Sequence, residues 1–580
     1  MVRLSKKRVI AAVGTLVLIA AIAFVVEAVL AGLALRAART DGSDLAARLS
    51  AGDIPGAEAA ARRLERDGHR AHVFTVGPLW WIGDRVPFLG KNVSAVQDTA
   101  SALNAISSNG MPLLITLADE AKSGTLRLHD GRLSTQAIAS FAPALRRAAN
   151  AIDPPATRVE RISAGSLLPP LNTLLKQVQT RVSEAKTSID AAANAFEVLP
   201  EMLGGNGPRT YLLLVQNPAE IRSSGGLPGT WAFLRADRGK LSMVKAEPGV
   251  RYTTANPPLP LTAEESALFG SDMGTSAGSL TFSPDFPRVA QLAAKMAALH
   301  GMPVDGVFSV DPVALSYVLR GTGPVQVAPG MVLNASNAVS TLLNKVYLTL
   351  PNEEEQNAFY LMAAQKIFDS LLHGSDNEMQ AIRGLVEGVQ RHRVFAWSPD
   401  PSVAKVIDGT GLSGAFPTDT GNAPQVGMFL NSAIASKSEY YLQQSSTVTA
   451  ISCKGGVQTL RLESTFRSTM PRNAVHFPLW VVGSGAIAPK GDLYDSIYVA
   501  GPWKGTVQSL TVDGKPQTIT SNQLDGRQIA ITSLQLVPGQ QATVVATLTT
   551  GPGQTGAGQL TWTPGMTSAA NPTTFSSACG

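Results

Sequence analysis

The chain has 580 residues, of which 44% are hydrophobic and 16% are charged. This length exceeds what one hydrophobic core supports, so we expect two or three domains. The net charge of +5 is mild, and basic residues cluster only at the N-terminus, which disfavours nucleic acid as a partner. The two cysteines, Cys453 and Cys579, are too few for a thiolate zinc or iron–sulfur site.

The N-terminus has the pattern of a membrane anchor. Four basic residues precede an uncharged run that Glu27 interrupts and that resumes to residue 35. About 20 apolar residues cross the hydrocarbon core as a helix. We therefore predict a cytoplasmic tail at residues 1–8 and one transmembrane helix at residues 9–35. The bulk of the chain would then lie outside the cytoplasm, as in a bacterial cell-envelope protein of type II topology.

The alternative for this segment is a cleaved signal peptide. Residues 21–23 have the small-x-small pattern of a cleavage site. The apolar run continues beyond them, which favours an anchor.

Three regions follow the anchor. Residues 36–200 are Ala-rich, with apolar positions at helical spacing, most clearly over residues 171–199, and predict a helical stalk or bundle. Within this region, the Trp80-Trp81 pair either touches the membrane interface or is buried in the bundle. Residues 201–436 alternate strands and helices and predict an α/β domain. Residues 437–580 contain Val/Thr/Leu strands separated by Gly and Pro, which predicts a C-terminal β-sandwich.

Two segments resemble a known family. Residues 211–226 read YLLLVQNPAEIRSSGG, which resembles the signature of the domain-of-unknown-function family 4012: a hydrophobic strand, then Gln-Asn, Glu-x-Arg and a Gly-Gly turn. A second region of that family is similar to Asn431, Lys437 and the Tyr440-Tyr441-Leu442 run. The resemblance covers most of residues 40–450, and the family name states no activity.

A more distant likeness is to the LytR-CpsA-Psr phosphotransferases, which attach cell-wall glycopolymers to peptidoglycan from a polyprenyl-pyrophosphate donor. Residues 304–311 (VDGVFSVD) and the later Leu319-Arg320-Gly321 are similar to their segment before a Gly-Gly-Val turn. The likeness implies a LytR-CpsA-Psr-like fold and a magnesium-assisted phosphotransferase. This chain departs from their pattern, because Arg222 is followed by two serines and Arg251 has no adjacent Asp.

The candidate site is an anion site for phosphate. Arginine makes bidentate bonds to phosphate oxygens, and glycines let backbone N–H groups approach the same anion. Arg222, Gly225, Gly226 and, if the fold brings it near, Arg251 would form this site. The alternative is a structural turn in which Arg222 caps carbonyl groups.

The spacing of the carboxylates predicts no metal site, and Mg²⁺ is the cofactor that the phosphotransferase likeness implies. Asp272, Asp285 and Glu247 are carboxylates near the predicted site, but their spacing is not diagnostic. No catalytic residue is predicted. In an oxidising location we expect a disulfide between Cys453 and Cys579, although Cys579 is close enough to the C-terminus to stay free.

Two functional hypotheses follow. The protein either binds or transfers a phosphate-containing envelope glycopolymer or its polyprenyl-pyrophosphate-linked precursor, or it is a non-catalytic, membrane-anchored scaffold for envelope protein partners. Arg222 and the glycines favour the first hypothesis. The missing carboxylates favour the second.

Overall fold

The computed structural model describes residues 6–51, 53–87, 89–120, 131–163, 165, 167–372, 377–520, 522–568 and 573–579. The first five residues of the predicted cytoplasmic tail lie outside this description. The chain divides into two compact units, which we call the helical unit and the sheet unit. The helical unit extends to residue 206, and the sheet unit contains the chain from residue 207 onward together with residues 131 and 132.

The helical unit is built from helices over the region in which the sequence predicts them. Asp53 starts the second helix by accepting a hydrogen bond from the backbone N–H of Gly56 at 3.0 Å. The apolar stripe of residues 171–199 lies in the last helix, as predicted. The helices are α1 (Lys6–Ala51), α2 (Ile54–Thr75), α3 (Pro78–Gly83), α4 (Gly90–Ala105), α5 (Met111–Glu120), α6 (Thr135–Glu160) and α7 (Pro169–Met202).

Helix α1 combines the apolar N-terminal segment with the bundle. Among the described residues, it is the one helix long and apolar enough to cross a membrane, and its apolar window has a mean hydropathy of 2.6. Its C-terminal part packs on α2 through small buried side chains, including Ala38, Ala57 and Ala60. The apolar segment therefore continues into the bundle without a break in the helix.

The first part of the sheet unit is a mixed five-stranded sheet with helices. The strand order is β3-β2-β1-β4-β7, with β1 and β4 parallel and the other pairs antiparallel. The elements are β1 (Arg209–Arg222), β2 (Gly225–Asp237), β3 (Lys240–Pro248), α8 (Ala263–Phe269), α9 (Asp272–Thr275), α10 (Phe286–Leu299), β4 (Gly306–Val310), α11 (Pro312–Thr322), β5 (Val325–Ala328), β6 (Met331–Leu333), α12 (Ala338–Ser340), α13 (Val346–Thr349), α14 (Glu353–Leu372), α15 (Glu378–Gln390), β7 (Val394–Trp397) and α16 (Pro401–Ile407).

The second part contains two six-stranded sheets, with orders β13-β12-β16-β10-β9-β18 and β14-β15-β11-β8-β17-β19. Their facing side chains, such as Leu462 and Ile497, share one core, as in a β-sandwich. The elements are β8 (Gln425–Ser432), β9 (Leu442–Lys454), β10 (Val457–Ser468), α17 (Leu479–Val482), β11 (Leu493–Trp503), β12 (Thr506–Val512), β13 (Lys515–Pro516), β14 (Asn522–Leu524), β15 (Arg527–Leu536), β16 (Gln541–Thr549), β17 (Gly558–Trp562), β18 (Thr567–Ser568) and β19 (Thr574–Phe575).

The boundary between these two parts differs from the predicted one at residue 437. Strand β8 pairs with β11 inside a sandwich sheet, so the sandwich includes residues before 437. Both faces of that sheet are buried. On the inner face, Ile497 belongs to the sandwich core, and on the outer face, Ala500 belongs to the core of the five-stranded part. The sheet unit is therefore continuous, and the predicted boundary does not separate two independent cores.

Strand β1 connects the buried clusters of the sheet unit. Leu212 and Leu214 belong to the core of the five-stranded part, Ala219 to a cluster around α11 and α14, and Ile221 to the sandwich core. The end of β1 thus lies where these cores meet.

The expected disulfide is present in the structure. Cys453, in β9, is bonded to Cys579, and their Cα atoms are 5.0 Å apart. The bond attaches the C-terminal residues to the sandwich.

Candidate functional site

Arg222 lies at the end of a strand and not in a loop beyond it. The sequence predicts a strand over residues 211–215, but β1 runs on to Arg222. Arg222 pairs with Gly225, so Ser223 and Ser224 form the turn to β2. This placement corrects the predicted geometry, in which Arg222 and the glycines shared an open loop at a strand end.

The guanidinium of Arg222 is engaged inside the protein. Its side chain is 8% exposed, and its Nη2 donates to Oε1 of Glu220 at 2.7 Å. Its Nη1 donates to the carbonyl of Ile221 at 2.9 Å, and the guanidinium lies 4.8 Å from the ring centre of Phe282. Arg222 and Glu220 are two positions apart on a strand, so their side chains emerge on the same side.

Glu220 also binds Lys437. Its second carboxylate oxygen accepts a hydrogen bond from the Lys437 ammonium, and both side chains are largely buried. Burial acts to raise the pKa of Glu220, but the charges and hydrogen bonds of Lys437 and Arg222 outweigh it and hold this pKa below its usual value. The two segments that carry the family resemblance therefore meet in one ion cluster, which we call the Glu220 cluster: Glu220, Arg222 and Lys437.

Side-chain amides fix the backbone around the cluster. Asn431, from the second segment, accepts from the backbone N–H of Ser223 at 2.8 Å and donates to the carbonyl of Phe282 at 3.1 Å. Asn217 donates to the Tyr347 hydroxyl at 2.5 Å, and Lys437 lies 5.5 Å from the centre of that tyrosine ring.

Two more buried carboxyl groups lie nearby. Burial raises the pKa of Glu439 well above its usual range, and the neighbouring Asp495 raises it further. Burial also raises the pKa of Asp495 to about 7, although the charge of Arg222 opposes this shift. Neither carboxylate oxygen of Asp495 has a hydrogen-bond partner among the described residues. The two cations Arg222 and Lys437 therefore lie near three carboxyl groups, those of Glu220, Glu439 and Asp495. If one of these carboxyl groups holds a proton, the net charge of the five side chains is zero.

The glycines of the predicted anion site serve strand packing. The backbone N–H of Gly226 donates to Oε1 of Gln216 at 2.8 Å. A Cβ atom at Gly226 would lie 2.3 Å from the carbonyl carbon of Asn217, and Gly225 has a φ of 127°. Both positions therefore require glycine because β1 and β2 approach closely.

Arg251 is not near Arg222. Its side chain is 68% exposed and pairs with Glu247 at 3.1 Å. Glu247 pairs with Trp231 on β2, whereas Arg222 pairs with Gly225. Gly225 and Trp231 are separated by about 20 Å of extended strand. The predicted joint contact of the two arginines with one phosphate therefore does not fit this fold.

The carboxylates considered for a metal have other partners or lie apart. Asp285 caps α10 and accepts from the backbone N–H of Phe416 at 2.8 Å, and burial raises its pKa to about 6. Glu247 binds Lys245, Arg251 and Tyr252. Asp272 is in the first turn of α9. In the described part of the chain, no group of three His, Cys, Asp or Glu residues is arranged to hold a metal ion.

Sequence reasoning missed Glu220, Glu439 and Asp495 as members of this site, and only Glu220 had a sequence signal. The available signal was the Glu-x-Arg spacing itself, because opposite charges two apart on a strand share one face. Lys437 was noted for its family resemblance only, and its contact with Glu220 spans 217 positions.

Comparison with known families agrees with the sequence-based recognition. Residues 206–347 match the family model described as a protein of unknown function (DUF4012). The family resemblance predicted from the sequence is confirmed. The matched DUF4012 segment contains β1 with Glu220 and Arg222, but it ends before Lys437. The chain matches no curated protein and no solved structure.

Proposed function

We propose that the protein is a non-catalytic scaffold, anchored by α1 in the cytoplasmic membrane, that organises other proteins of the cell envelope outside the cytoplasm. The observation that carries this proposal is the engagement of Arg222 in the Glu220 cluster. The one arginine that both family resemblances mark already has a buried carboxylate partner. A phosphate would have to displace Glu220 and enter a site where the arginine side chain is 8% exposed.

The rest of the site supports a structural function. Removing one partner of a buried ion pair costs about 3–5 kcal/mol, because the remaining charge is left buried without compensation. The Glu220 cluster links β1 to the chain segment after β8 through Lys437, and Asn431, within β8, binds the turn that follows β1. A rigid joint of this kind suits a protein that presents surfaces at fixed separations.

The competing proposal is a LytR-CpsA-Psr-like enzyme that binds or transfers a polyprenyl-pyrophosphate-linked glycopolymer. It rests on the distant sequence likeness and on the glycines after Arg222. It requires Arg222 to change partner when the donor binds.

Calorimetric titration of the purified full chain with a polyprenyl-pyrophosphate donor, with and without Mg²⁺, separates the two proposals. The scaffold proposal predicts no binding and no release of product. Binding that Arg222→Lys weakens and Arg251→Ala leaves unchanged, with both variants folded, would overturn it. Arg251 is the matched control because it is an arginine of the same unit with an exposed side chain.

A further inference from the structure

An exposed apolar surface lies beside the N-terminal helix, at the end of the helical unit where α2 meets α4. We call it the apolar lobe and define it as residues 73–87 with Leu89. Its exposed apolar side chains are Val73, Val76, Trp81, Ile82, Val86 and Leu89. Trp81 and Val76 are each 60% exposed. Such a concentration of exposed apolar side chains in a short segment marks a contact surface.

The apolar lobe is attached to the anchor itself. Trp80 is 2% exposed and packs on Phe24 of α1, with the two ring centres 5.2 Å apart. Ala28 and Ala31, on the same face of α1, belong to the same cluster. The height of the lobe along α1 is therefore fixed by these contacts.

That height lies at the outer edge of the apolar segment. Val9 opens the apolar run, and Phe24 follows it by about 22 Å along the helix axis, at about 1.5 Å per residue. The hydrocarbon core of a bilayer is about 30 Å thick. A bilayer that covers the run from Val9 therefore also covers Phe24, and reaches the side chains packed beside it.

The basic residues at the lobe fit this depth, and the one acidic residue, Asp84, accepts a hydrogen bond from Ser94 of α4. The guanidinium of Arg85 lies 3.9 Å from the ring centre of Trp81, and it donates to the Trp81 carbonyl at 2.6 Å. Tryptophan is enriched at the level of lipid headgroups, where an adjacent arginine can bind phosphate groups. Lys91 follows at the start of α4.

We propose that the apolar lobe inserts into the outer leaflet of the membrane that α1 spans, with Trp81 and Ile82 in the lipid. The occupant of this surface is the bilayer, because the lobe is fixed to the span through Phe24 and Trp80. Insertion at a second point beside the anchor restrains the tilt and rotation of the helical unit. This inference rests on the anchoring proposed above, and it does not depend on whether the sheet unit binds phosphate.

The test uses single cysteines in the full chain, labelled with the fluorophore NBD and reconstituted in phosphatidylethanolamine and phosphatidylglycerol vesicles. Ile82→Cys reports on the lobe. Leu18→Cys is the control inside the span, because Leu18 is 60% exposed on α1. Ser43→Cys is the control outside it, since Ser43 lies on the same helix about 28 Å beyond Phe24 at about 1.5 Å per residue. The native cysteines are disulfide-bonded, so the unmutated chain should not label.

Lipids with a nitroxide on the acyl chain quench fluorophores that contact the hydrocarbon. We expect strong quenching and blue-shifted emission at Ile82 and Leu18, and weak quenching at Ser43. Quenching at Leu18 without quenching at Ile82 would overturn the lobe proposal and leave the surface to a protein partner. Absence of quenching at Leu18 would overturn the anchor itself, and the lobe proposal with it.

Discussion

The helical unit and the sheet unit bury small and large side chains in different proportions. The buried residues of the helical unit are mostly small, as at Ala57 and Ala60, although Trp80 and Phe141 are buried there too. The sheet unit buries large aromatic side chains, such as Trp231, and also buries the Glu220 cluster. The close packing of the helices depends on small side chains between them, whereas the Glu220 cluster of the sheet unit depends on paired charges. The two units should therefore fail under different substitutions.

The largest loss should come from Glu220→Ala in the sheet unit. Arg222 and Lys437 would both lose their buried carboxylate partner, and a loss of about 3–5 kcal/mol is expected for an uncompensated buried charge. Chemical denaturation followed by the near-ultraviolet signal of the sheet unit measures it. Arg251→Ala is the control and should cost less than about 1 kcal/mol, because exposed ion pairs contribute little. Equal losses in both variants would contradict a structural role for the cluster.

The substitution Asp495→Asn should increase the free energy of unfolding, in contrast to Glu220→Ala. Because the pKa of Asp495 is raised to about 7 in the folded protein, its ionisation destabilises the fold as pH rises from about 3.8 to about 7. The variant removes this charge and should gain stability at pH 8, by at most about 4 kcal/mol at 1.36 kcal/mol per pH unit. The free energy of unfolding measured between pH 4 and pH 8 should fall less steeply in the variant. An unchanged slope would show that Asp495 does not titrate in this range.

Removal of the disulfide should lower the free energy of unfolding by somewhat less than Glu220→Ala does. Cys453 and Cys579 are separated by 126 positions, and losing such a cross-link costs typically about 2–4 kcal/mol through the entropy of the unfolded chain. The double variant Cys453→Ser with Cys579→Ser should melt at a lower temperature than the oxidised protein. It should match the reduced wild type. A melting temperature equal to that of the oxidised wild type would indicate that the C-terminal residues add nothing to the sandwich.

In the helical unit, the expected damage comes from added volume. Ala57 is fully buried between α2 and α1, so Ala57→Leu should cost about 1–3 kcal/mol through overpacking. Ala46→Leu is the control, because Ala46 is exposed on α1. Hydrogen exchange in α2 should rise for the first variant and stay unchanged for the second. Tolerance of leucine at both positions would mean that the helices are not closely packed.

Local patterns predicted the elements of both units well. Helix α7 follows from the apolar stripe over residues 171–199, and the strands β9 and β10 follow from the Val/Thr/Leu runs after residue 437. These features depend on neighbours in sequence, which a pattern records directly.

The candidate site could not be predicted from local sequence patterns. The end of β1 contains Asn217, Pro218 and Glu220, whose residue types are depleted in strands, so the sequence predicts a strand that ends at Val215. An arginine after a predicted strand end then indicates a ligand site. The structure buries these polar groups instead, and the partner that allows this, Lys437, is remote in sequence. Charge complementarity over such separations leaves no local pattern.

A double-mutant cycle with Arg222→Met and Glu220→Gln tests most directly whether Arg222 belongs to a structural ion cluster. The free energies of unfolding of the wild type, the two single variants and the double variant are compared in chemical denaturation. We predict that the double variant is more stable than the sum of the single losses implies, with a coupling of about 1–3 kcal/mol. Glu220→Gln leaves the buried Arg222 and Lys437 without their carboxylate partner, and Arg222→Met then removes one of these two unpaired charges. Additive losses, together with pyrophosphate binding by the wild type, would contradict a structural ion cluster and would indicate that Arg222 binds a ligand.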